Sequence, residues 1–324
     1  MIDKSLLKNK KVIVIGGGGF IGSHLVDVLL DTGVKKVTIY DDFSRGKTQN
    51  LKYSLNDKRV GVYENGGDIC NYETVNDAIK GHHIVFHLAA KWLLHCIKYP
   101  TTAFDVNVKG TMNILQSSVQ NNIEKVVFSS SASVYGDALY LPMDENHPYN
   151  NKNLYGATKI SCESLFTAFK YQYDLNFVSL RYMNVFGPRQ DDKNIYSGVI
   201  PIFLRKAMNG LPIIINGDGS QKYDFVYVKD IAQANILAAI TKNNYNFYNV
   251  GSGVQTSIKA LVSLMSKKID KKFKVTYKNY TKDDARSLVK NRLGSLDLIK
   301  KDLLYKPNFS LEKGIEEMIK YHSN

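Results

Sequence analysis

Short, uninterrupted apolar runs alternate with longer amphipathic segments along the first half of the chain. The runs occur in KVIVIGGGGFIG, KKVTIYDD, HHIVFHLAA, EKVVFSSS and NFVSLRYMNV, and the longer segments include SHLVDVLLDTG, NVKGTMNILQSSVQNN and YGATKISCESLFTAFKYQY. Continuous apolar runs are typical of parallel strands that are buried on both faces. Strands that alternate with helices are joined by right-handed crossovers into one parallel sheet. The pattern therefore predicts an α/β fold with a doubly wound parallel sheet.

The regular alternation of predicted strands and helices becomes weaker after Asn184. The next stretch is rich in glycine and proline and contains one predicted helix and one short strand, whereas VYVKDIAQANILAAI and NFYNVG again fit the main sheet. We therefore predict a main domain over residues 1–184, with a returning segment over about 226–250. A smaller C-terminal α/β domain, residues 185–225 and 251–324, is expected to cover the ligand.

Composition narrows the classes of protein that need to be considered. The chain has 324 residues, 44% of them apolar, and a net charge of +13 from scattered lysines without interleaved aromatic residues. This indicates a solvated basic surface that binds no nucleic acid. The N-terminus lacks the apolar run of a signal peptide, and no stretch approaches the ~18 apolar residues of a membrane span. The three cysteines show no metal-ligand spacing. We predict a cytoplasmic protein with reduced thiols, no membrane association and no metal.

A glycine-rich turn follows the first predicted strand and opens the first helix. Gly16, Gly19 and Gly22, with Phe20 and Ile21 between them, let the backbone approach a pyrophosphate at a helix N-terminus. Asp41 ends the next strand, nineteen residues after Gly22, which is the position of a ribose-binding carboxylate. Its charge favours NAD over NADP. This Rossmann-type site is predicted to include further residues after the second and third strands: Asp42, Ser44, Arg45, Asp68 and Ile69.

A tyrosine and a lysine share one face of the helix that follows the serine-ended strand. Tyr155 and Lys159 lie one turn apart. An unperturbed tyrosine titrates near about 10, and a neighbouring ammonium together with a nicotinamide cation is expected to lower that pKa. The strand ends in Ser129, Ser130 and Ser131 at the ligand-binding edge of the sheet. We expect one of these serines to share a hydrogen bond with Tyr155 around a substrate hydroxyl, and the other two to satisfy backbone groups.

These motifs occur in a familiar order. GGGGFIG, Asp41, FHLAA, NVKGT, SSSASVYG, YGATK, LRYMNVFGPRQ and NVGSG together resemble the extended short-chain dehydrogenases/reductases. The chain is most similar to nucleotide-sugar 4-epimerases of the UDP-galactose 4-epimerase type, from about residue 10 to about residue 320. The resemblance implies NAD as cofactor, a nucleotide-diphosphate sugar as substrate, and a homodimer that packs two helices per subunit into a bundle. It assigns the catalytic roles to Ser131, Tyr155 and Lys159.

The resemblance also assigns binding residues by position. Further cofactor contacts fall on Leu88, Ala89, Ala90, Asn107, Ser129, Tyr182 and Met183. For Asn107 and Asn184 a loop-capping role is the alternative. Substrate contacts fall on Lys91, Trp92, His95, Ser131, Ser133, Asn184, Val199, Ile200, Tyr223 and Arg286.

The chain departs from the family pattern on the substrate side. Tyr223 stands where relatives carry a diphosphate-binding arginine, and Leu288 and Val289 replace the Gly-Asp that follows the second arginine. Ala132 and Ser133 replace the Asp-Glu of 4,6-dehydratases, so the resemblance argues against dehydration. It favours a 4-epimerase that works through a transient 4-keto sugar, with a 4-dehydrogenase or reductase as the alternative. A non-catalytic NAD-binding protein is a weaker alternative, because it would need no Ser-Tyr-Lys set.

Overall fold

The computed structural model of the chain describes residues 5, 7–191, 198–243, 245–280 and 289–323. The strands are β1 (Lys11–Ile15), β2 (Lys36–Tyr40), β3 (Val60–Val62), β4 (Ile84–His87), β5 (Lys125–Ser131), β6 (Phe177–Tyr182), β7 (Asn184–Phe186), β8 (Ile213–Asn216), β9 (Lys222–Tyr227), β10 (Phe247–Val250), β11 (Gln255–Ser257), β12 (Val275–Lys278) and β13 (Asn291–Arg292). The α-helices are α1 (Phe20–Leu30), α2 (Tyr72–Ile79), α3 (Leu93–Lys98), α4 (Pro100–Phe104), α5 (Gly110–Gln120), α6 (Leu154–Tyr173), α7 (Val199–Met208), α8 (Val228–Ile240), α9 (Ile258–Lys268), α10 (Asp297–Leu303) and α11 (Leu311–Ser323).

Seven strands form one parallel sheet in the order β10-β6-β5-β4-β1-β2-β3. The strand order reverses between β1 and β4, and a doubly wound fold binds its ligands at such a switch point, outside the carboxyl ends of the strands. The predicted α/β fold is confirmed.

Helices cover both faces of this sheet, which explains the continuous apolar runs. One core layer joins the sheet to α1 and α8 through residues such as Leu25, Val26 and Ile231. The other joins it to α2, α5 and α6 through residues such as Ile114 and Phe166. No helix in the described ranges is long and apolar enough to cross a membrane.

A separate core lies beyond the main sheet. Phe203, Leu204, Leu261, Met265 and Met318 pack together from α7, α9 and α11. They rest on a small sheet in which β9 pairs with β7, β11 and β13, and on the pair formed by β8 and β12. The domain boundaries given above stay a prediction. The second core and the pairing of β10 with β6 are compatible with them.

Candidate active site

The turn between β1 and α1 is possible only with glycine at two positions. Gly16 has φ +85°, and a Cβ there would lie 2.6 Å from the backbone nitrogen of Ala89. A Cβ on Gly22 would lie 2.1 Å from the carbonyl oxygen of Gly16. The turn therefore presents bare backbone at the N-terminus of α1, whose first N–H groups can bind an anion.

Asp41 is fixed against this turn by both of its carboxylate oxygens. They accept hydrogen bonds of 2.8 Å from the backbone N–H groups of Gly18 and Phe43. Burial raises the pKa of the Asp41 carboxyl. Asp41 thus holds the glycine turn in place, and its oxygens retain lone pairs that could accept ribose hydroxyls.

The loops after β2 and β4 meet across the mouth of the cleft. The Nζ atom of Lys91 donates to Ser44 Oγ over 3.2 Å and lies 3.9 Å from an oxygen of Asp42. The guanidinium of Arg45 lies 4.1 Å from the centre of the Trp92 ring. The Arg45 side chain therefore contacts the loop after β4, although Arg45 lies only four residues after Asp41 in the sequence.

A cavity of about 520 Å³ lies along the carboxyl ends of the strands. One end lies at Asp41, the glycine turn forms the middle, and Tyr155 and Lys159 lie at the other end. This elongated shape and the bare glycine turn fit NAD. The predicted residues that line the cavity are Gly16, Gly19, Phe20, Ile21, Gly22, Asp41, Asp42, Ser44, Arg45, Asp68, Ile69, Leu88, Ala89, Ala90, Lys91, Trp92, Ser129, Tyr155, Lys159 and Tyr182.

Asn107 and Met183 lie behind the cavity wall. The Asn107 side chain accepts a hydrogen bond from the backbone N–H of Lys91 (2.7 Å) and donates to the Lys91 carbonyl (3.1 Å) and to Thr158 (3.0 Å). This is the loop-holding role that the sequence analysis left open. Met183 is buried against Gly251 and Gly294.

The three serines at the end of β5 have three different environments. Ser129 Oγ lies 3.0 Å from the Tyr182 hydroxyl, and Ser130 donates to buried Glu163 over 2.6 Å. Ser131 donates to Ser133 Oγ over 3.1 Å, and its hydroxyl also interacts with Tyr155 in a way that lowers the tyrosine pKa. Two serines are thus taken up by neighbouring side chains, whereas the sequence analysis expected backbone groups as their partners. The third, Ser131, adjoins Tyr155.

Burial dominates the titration of the Tyr155–Lys159 pair. It raises the pKa of Tyr155 to about 12, while the hydrogen bond from Ser131 and the charge of Arg45 act in the opposite direction. Burial also lowers the pKa of Lys159, whose Nζ donates to the Ser129 carbonyl over 2.7 Å. The sequence analysis expected Lys159 together with a bound nicotinamide cation to lower the tyrosine pKa. Burial, which that expectation left out, disfavours the phenolate and opposes such a lowering.

A buried ion pair supports the serine strand from behind. Arg181 and Glu163 approach to 2.8 Å with side chains that are 4% and 1% exposed. Arg181 also donates to the hydroxyls of Tyr135 and Tyr149, and Glu163 accepts from Ser130. This network ties α6, which carries Tyr155, to β5 and β6.

Most of the predicted substrate-binding residues lie outside the cavity lining. His95, Ser131, Ser133, Asn184, Val199, Ile200 and Tyr223 do not line the cavity, and Arg286 lies outside the described residues. Trp92 Nε1, His95 Nε2 and Asn184 Oδ1 are shielded from solvent and have no hydrogen-bond partner in the described part of the chain. Buried polar atoms are normally paired, so these three atoms have unused hydrogen-bonding capacity.

The sequence analysis did not predict several residues that line the cavity. Arg189 and Gln190, in the quoted GPRQ segment, and Asp191 directly after it line the cavity together with Gly198, Lys47 and Asn50. Arg189 pairs with Asp27 on α1 at 2.7 Å, a contact that spacing along the chain cannot reveal. Among the described residues, no cluster of His, Cys, Asp or Glu could hold a metal ion.

Known proteins are similar to this chain in sequence and in fold. The model of the NAD dependent epimerase/dehydratase family matches residues 12–251. The chain is 34% identical over 316 residues to a putative UDP-glucose 4-epimerase of Methanocaldococcus jannaschii, which covers 97% of this chain and 98% of that protein.

Two solved structures are also similar. One is a UDP-N-acetylglucosamine 4-epimerase from Methanobrevibacter ruminantium M1 in complex with UDP-N-acetylmuramic acid (TM-score 0.91, 35% identity, 98% and 99% of the two chains covered). The other is a UDP-glucose 4-epimerase from Thermotoga maritima with UDP-glucose (TM-score 0.88, 31% identity, 97% and 98% covered). With its glycine turn, Asp41 and the Tyr155–Lys159 pair arranged along one cavity, the chain belongs to the NAD-dependent epimerase/dehydratase family of enzymes, whose cofactor is NAD.

Proposed function

We propose that this enzyme is a nucleotide-sugar 4-epimerase that works through a transient 4-keto sugar. The observation that carries the proposal is the set formed by Ser131 at the end of β5 and by Tyr155 and Lys159 on α6, where Lys159 donates to the Ser129 carbonyl of β5. The similar proteins named above act on or bind uridine-diphosphate sugars. A uridine-diphosphate sugar is therefore the first substrate to test.

Tyr155 is the proposed acid/base. As a phenolate it takes the proton from the 4-hydroxyl of the sugar, and it later returns a proton to the epimeric oxygen. Ser131 donates a hydrogen bond to the Tyr155 oxygen and so favours the phenolate against burial. When bound, NAD supplies the acceptor for the C4 hydride and the donor that returns it to the opposite face, so the cofactor is unchanged over one cycle.

Lys159 has a positioning role at the same end of the cavity. Its ammonium is held by the Ser129 carbonyl and lies 5.8 Å from the centre of the Tyr155 ring. A buried ammonium there can hold the nicotinamide ribose and orient the pyridinium ring toward Tyr155. Closely placed groups of this kind accelerate a reaction by fixing its geometry.

The alternative is a 4-dehydrogenase or reductase in which the keto sugar leaves or enters. The same Ser131, Tyr155 and Lys159 would serve that reaction, and the substrate-side departures at Tyr223 and Trp92 keep it open. A 4,6-dehydratase is disfavoured because Ala132 and Ser133 offer no carboxyl group directly after Ser131.

The experiment incubates the NAD-loaded protein with UDP-, GDP-, CDP- and dTDP-sugars. Sugar stereochemistry is followed by NMR, and reduced nicotinamide by absorbance. The 4-epimerase predicts epimer formation without accumulation of reduced cofactor. Stoichiometric reduction with a released ketone would instead identify the dehydrogenase, and no response to any sugar nucleotide would contradict both. Tyr155→Phe should retain NAD and lose turnover. If it keeps turnover, Tyr155 is not the acid/base.

We also propose a homodimer through α6. Its exposed face carries Leu154, Ala157, Ser161 and Ala168 at helical spacing, and Tyr171 beyond them is 84% exposed. Small side chains at this spacing allow close helix packing. Sedimentation should give a dimer for the wild type and a monomer for Ala157→Arg. A wild-type monomer would contradict the proposal.

A further inference from the structure

The loops after β2 and β4 lie on opposite sides of the glycine turn. In the main sheet, β1 stands between β4 and β2. Neighbouring strands lie about 4.8 Å apart, so the ends of β2 and β4 are separated by about 10 Å, with the glycine turn after β1 between them. Any contact between the two loops must therefore cross the carboxyl end of β1.

Both loops are attached to the glycine turn at their bases. The backbone N–H of Lys47 and the side-chain amide of Asn50 donate to the Gly18 carbonyl over 3.0 and 2.9 Å. On the other side, Ala89 packs so closely that a Cβ on Gly16 would lie 2.6 Å from its backbone nitrogen. The two loops thus start from opposite sides of the same turn.

The tips of the two loops contact each other through their side chains. The Arg45 guanidinium lies over the Trp92 ring, 4.1 Å from its centre, which is a cation–π contact. Lys91 Nζ donates to Ser44 over 3.2 Å and lies 3.9 Å from Asp42. Together these contacts form what we term the loop bridge. Its five residues line the same cavity as Gly16 and Gly19, so the glycine turn, the two loops and the loop bridge surround one part of that cavity.

One side of the loop bridge is braced and the other is exposed. Trp92 directly precedes α3, and its ring lies 5.3 Å from that of His95, which in turn lies 5.1 Å from the Tyr99 ring. Arg45 and Asp42, from the other loop, are exposed at the surface. Exposed cation–π contacts and ion pairs are individually weak. The loop bridge can therefore open and close without disturbing either core layer of the main sheet.

We propose that the loop bridge closes over the pyrophosphate of NAD and controls how fast the cofactor enters and leaves. The contacts join side chains of the chain itself, so only the open form exchanges NAD, and both rates scale with the fraction of protein that is open. This inference rests on the proposed function for its purpose. A 4-epimerase leaves NAD unchanged over one cycle, so slow release does not limit turnover, whereas a dehydrogenase must exchange its cofactor.

The test measures entry and release of labelled NAD by rapid filtration, and NAD affinity by calorimetry, in the absence of any sugar. Arg45→Met removes the cation and keeps a long side chain. It should speed both entry and release by about 3- to 30-fold, the range expected when one cation–π contact is lost. The affinity should change by no more than about two-fold, because the open fraction affects both rates equally. Lys52→Met changes an exposed lysine that does not line the cavity, and should leave both rates unchanged.

A double-mutant cycle tests whether Arg45 and Trp92 act through each other. Trp92→Leu should speed both rates as much as Arg45→Met does, and the double variant should be no faster than either single variant. Trp92→Phe keeps a ring under the guanidinium and should stay close to the wild type. An unchanged midpoint of urea unfolding shows that each variant folds. Non-additive effects of this kind support the loop bridge.

Three results would overturn the proposal. Unchanged rates in Arg45→Met would mean that the loop bridge does not control NAD exchange. Faster release with weaker affinity and unchanged entry would make Arg45 a direct NAD contact, and fully additive effects of the two substitutions would mean that Arg45 and Trp92 act separately. Failure of the wild type to convert any sugar nucleotide would instead contradict the proposed function, and it leaves these rates unaffected because they are measured without sugar.

Discussion

The two sides of the cleft differ in how completely their polar atoms are paired. On the cofactor side, both Asp41 oxygens accept backbone N–H groups, and the Asn107 amide is fully engaged around Lys91. On the substrate side, Trp92 Nε1 and Arg292 Nε are shielded from solvent without a partner in the described chain. Asp41 and Asn107 are therefore held by the chain itself, whereas Trp92 and Arg292 keep unused donors.

This difference follows from what each side must recognise. A dinucleotide is bound largely by backbone groups, so its site depends on where the chain can turn, and glycine decides that. A sugar and its diphosphate are bound by side chains from several elements, and these can change without altering the fold. The Tyr223 departure is an example, since β9 still pairs with β13 in register.

The largest effect is expected from Gly22→Val, which disrupts the glycine turn between β1 and α1. The new Cβ would meet the Gly16 carbonyl oxygen at 2.1 Å, so the turn must open and the NAD site is lost. We expect the purified variant to carry no NAD, as measured by cofactor release and chromatography. Gly61→Ala is the matched control, because its Cβ would have no neighbour within 4 Å. Full NAD content in Gly22→Val would show that the turn is not the phosphate site.

The second-largest effect is expected from breaking the buried Arg181–Glu163 ion pair, which joins α6 to β6. Glu163→Gln leaves the buried Arg181 charge unpaired and should lower the free energy of unfolding by about 3–5 kcal/mol in urea titrations. The exposed pair of Lys10 and Glu124 at 2.6 Å is the control, and Glu124→Gln should cost about 1 kcal/mol or less. Equal losses for the two variants would mean that the Arg181–Glu163 network does not stabilise the fold.

A smaller effect concerns the pH dependence of turnover. Burial raises the pKa of Tyr155 to about 12, and the Ser131 hydrogen bond opposes that rise. In the proposed mechanism the phenolate is the active form, so kcat/KM should increase with pH up to the tyrosine pKa. Ser131→Ala should move this ascending limb to higher pH and lower activity at neutral pH by about 10- to 100-fold. A uniform loss of activity with an unshifted limb would contradict the assigned role of Ser131.

The smallest effect is expected from a change at Trp92, on the predicted substrate side of the cleft. Trp92→Phe removes the unpaired Nε1 donor but keeps an aromatic ring beside Arg45. Loss of one neutral hydrogen bond to the sugar should raise KM by about 5- to 10-fold, with NAD content unchanged. A change in NAD content without a change in KM would place Trp92 on the cofactor side.

The sequence predicted the cofactor half well because its signals are local. A strand, a glycine turn, a helix and an aspartate lie within thirty-one residues, and short-range sterics and helix geometry then place them. The Tyr155–Lys159 pair was predictable for the same reason, since helical periodicity sets its shared face. The sequence indicated groups that lower the pKa of Tyr155 but not the opposing effect of burial, because burial depends on elements far along the chain.

The sequence by itself determined the fold class and the glycine turn, because each depends on backbone preferences and on neighbours within a few positions, and it singled out Ser131, Tyr155 and Lys159 as candidates. Only the tertiary structure decided which serine adjoins Tyr155, that Asn107 braces a loop, and that Arg292 stands beside Tyr223. Those facts depend on strand register and packing between segments that are distant along the chain. A periodic pattern of apolar residues does not encode them.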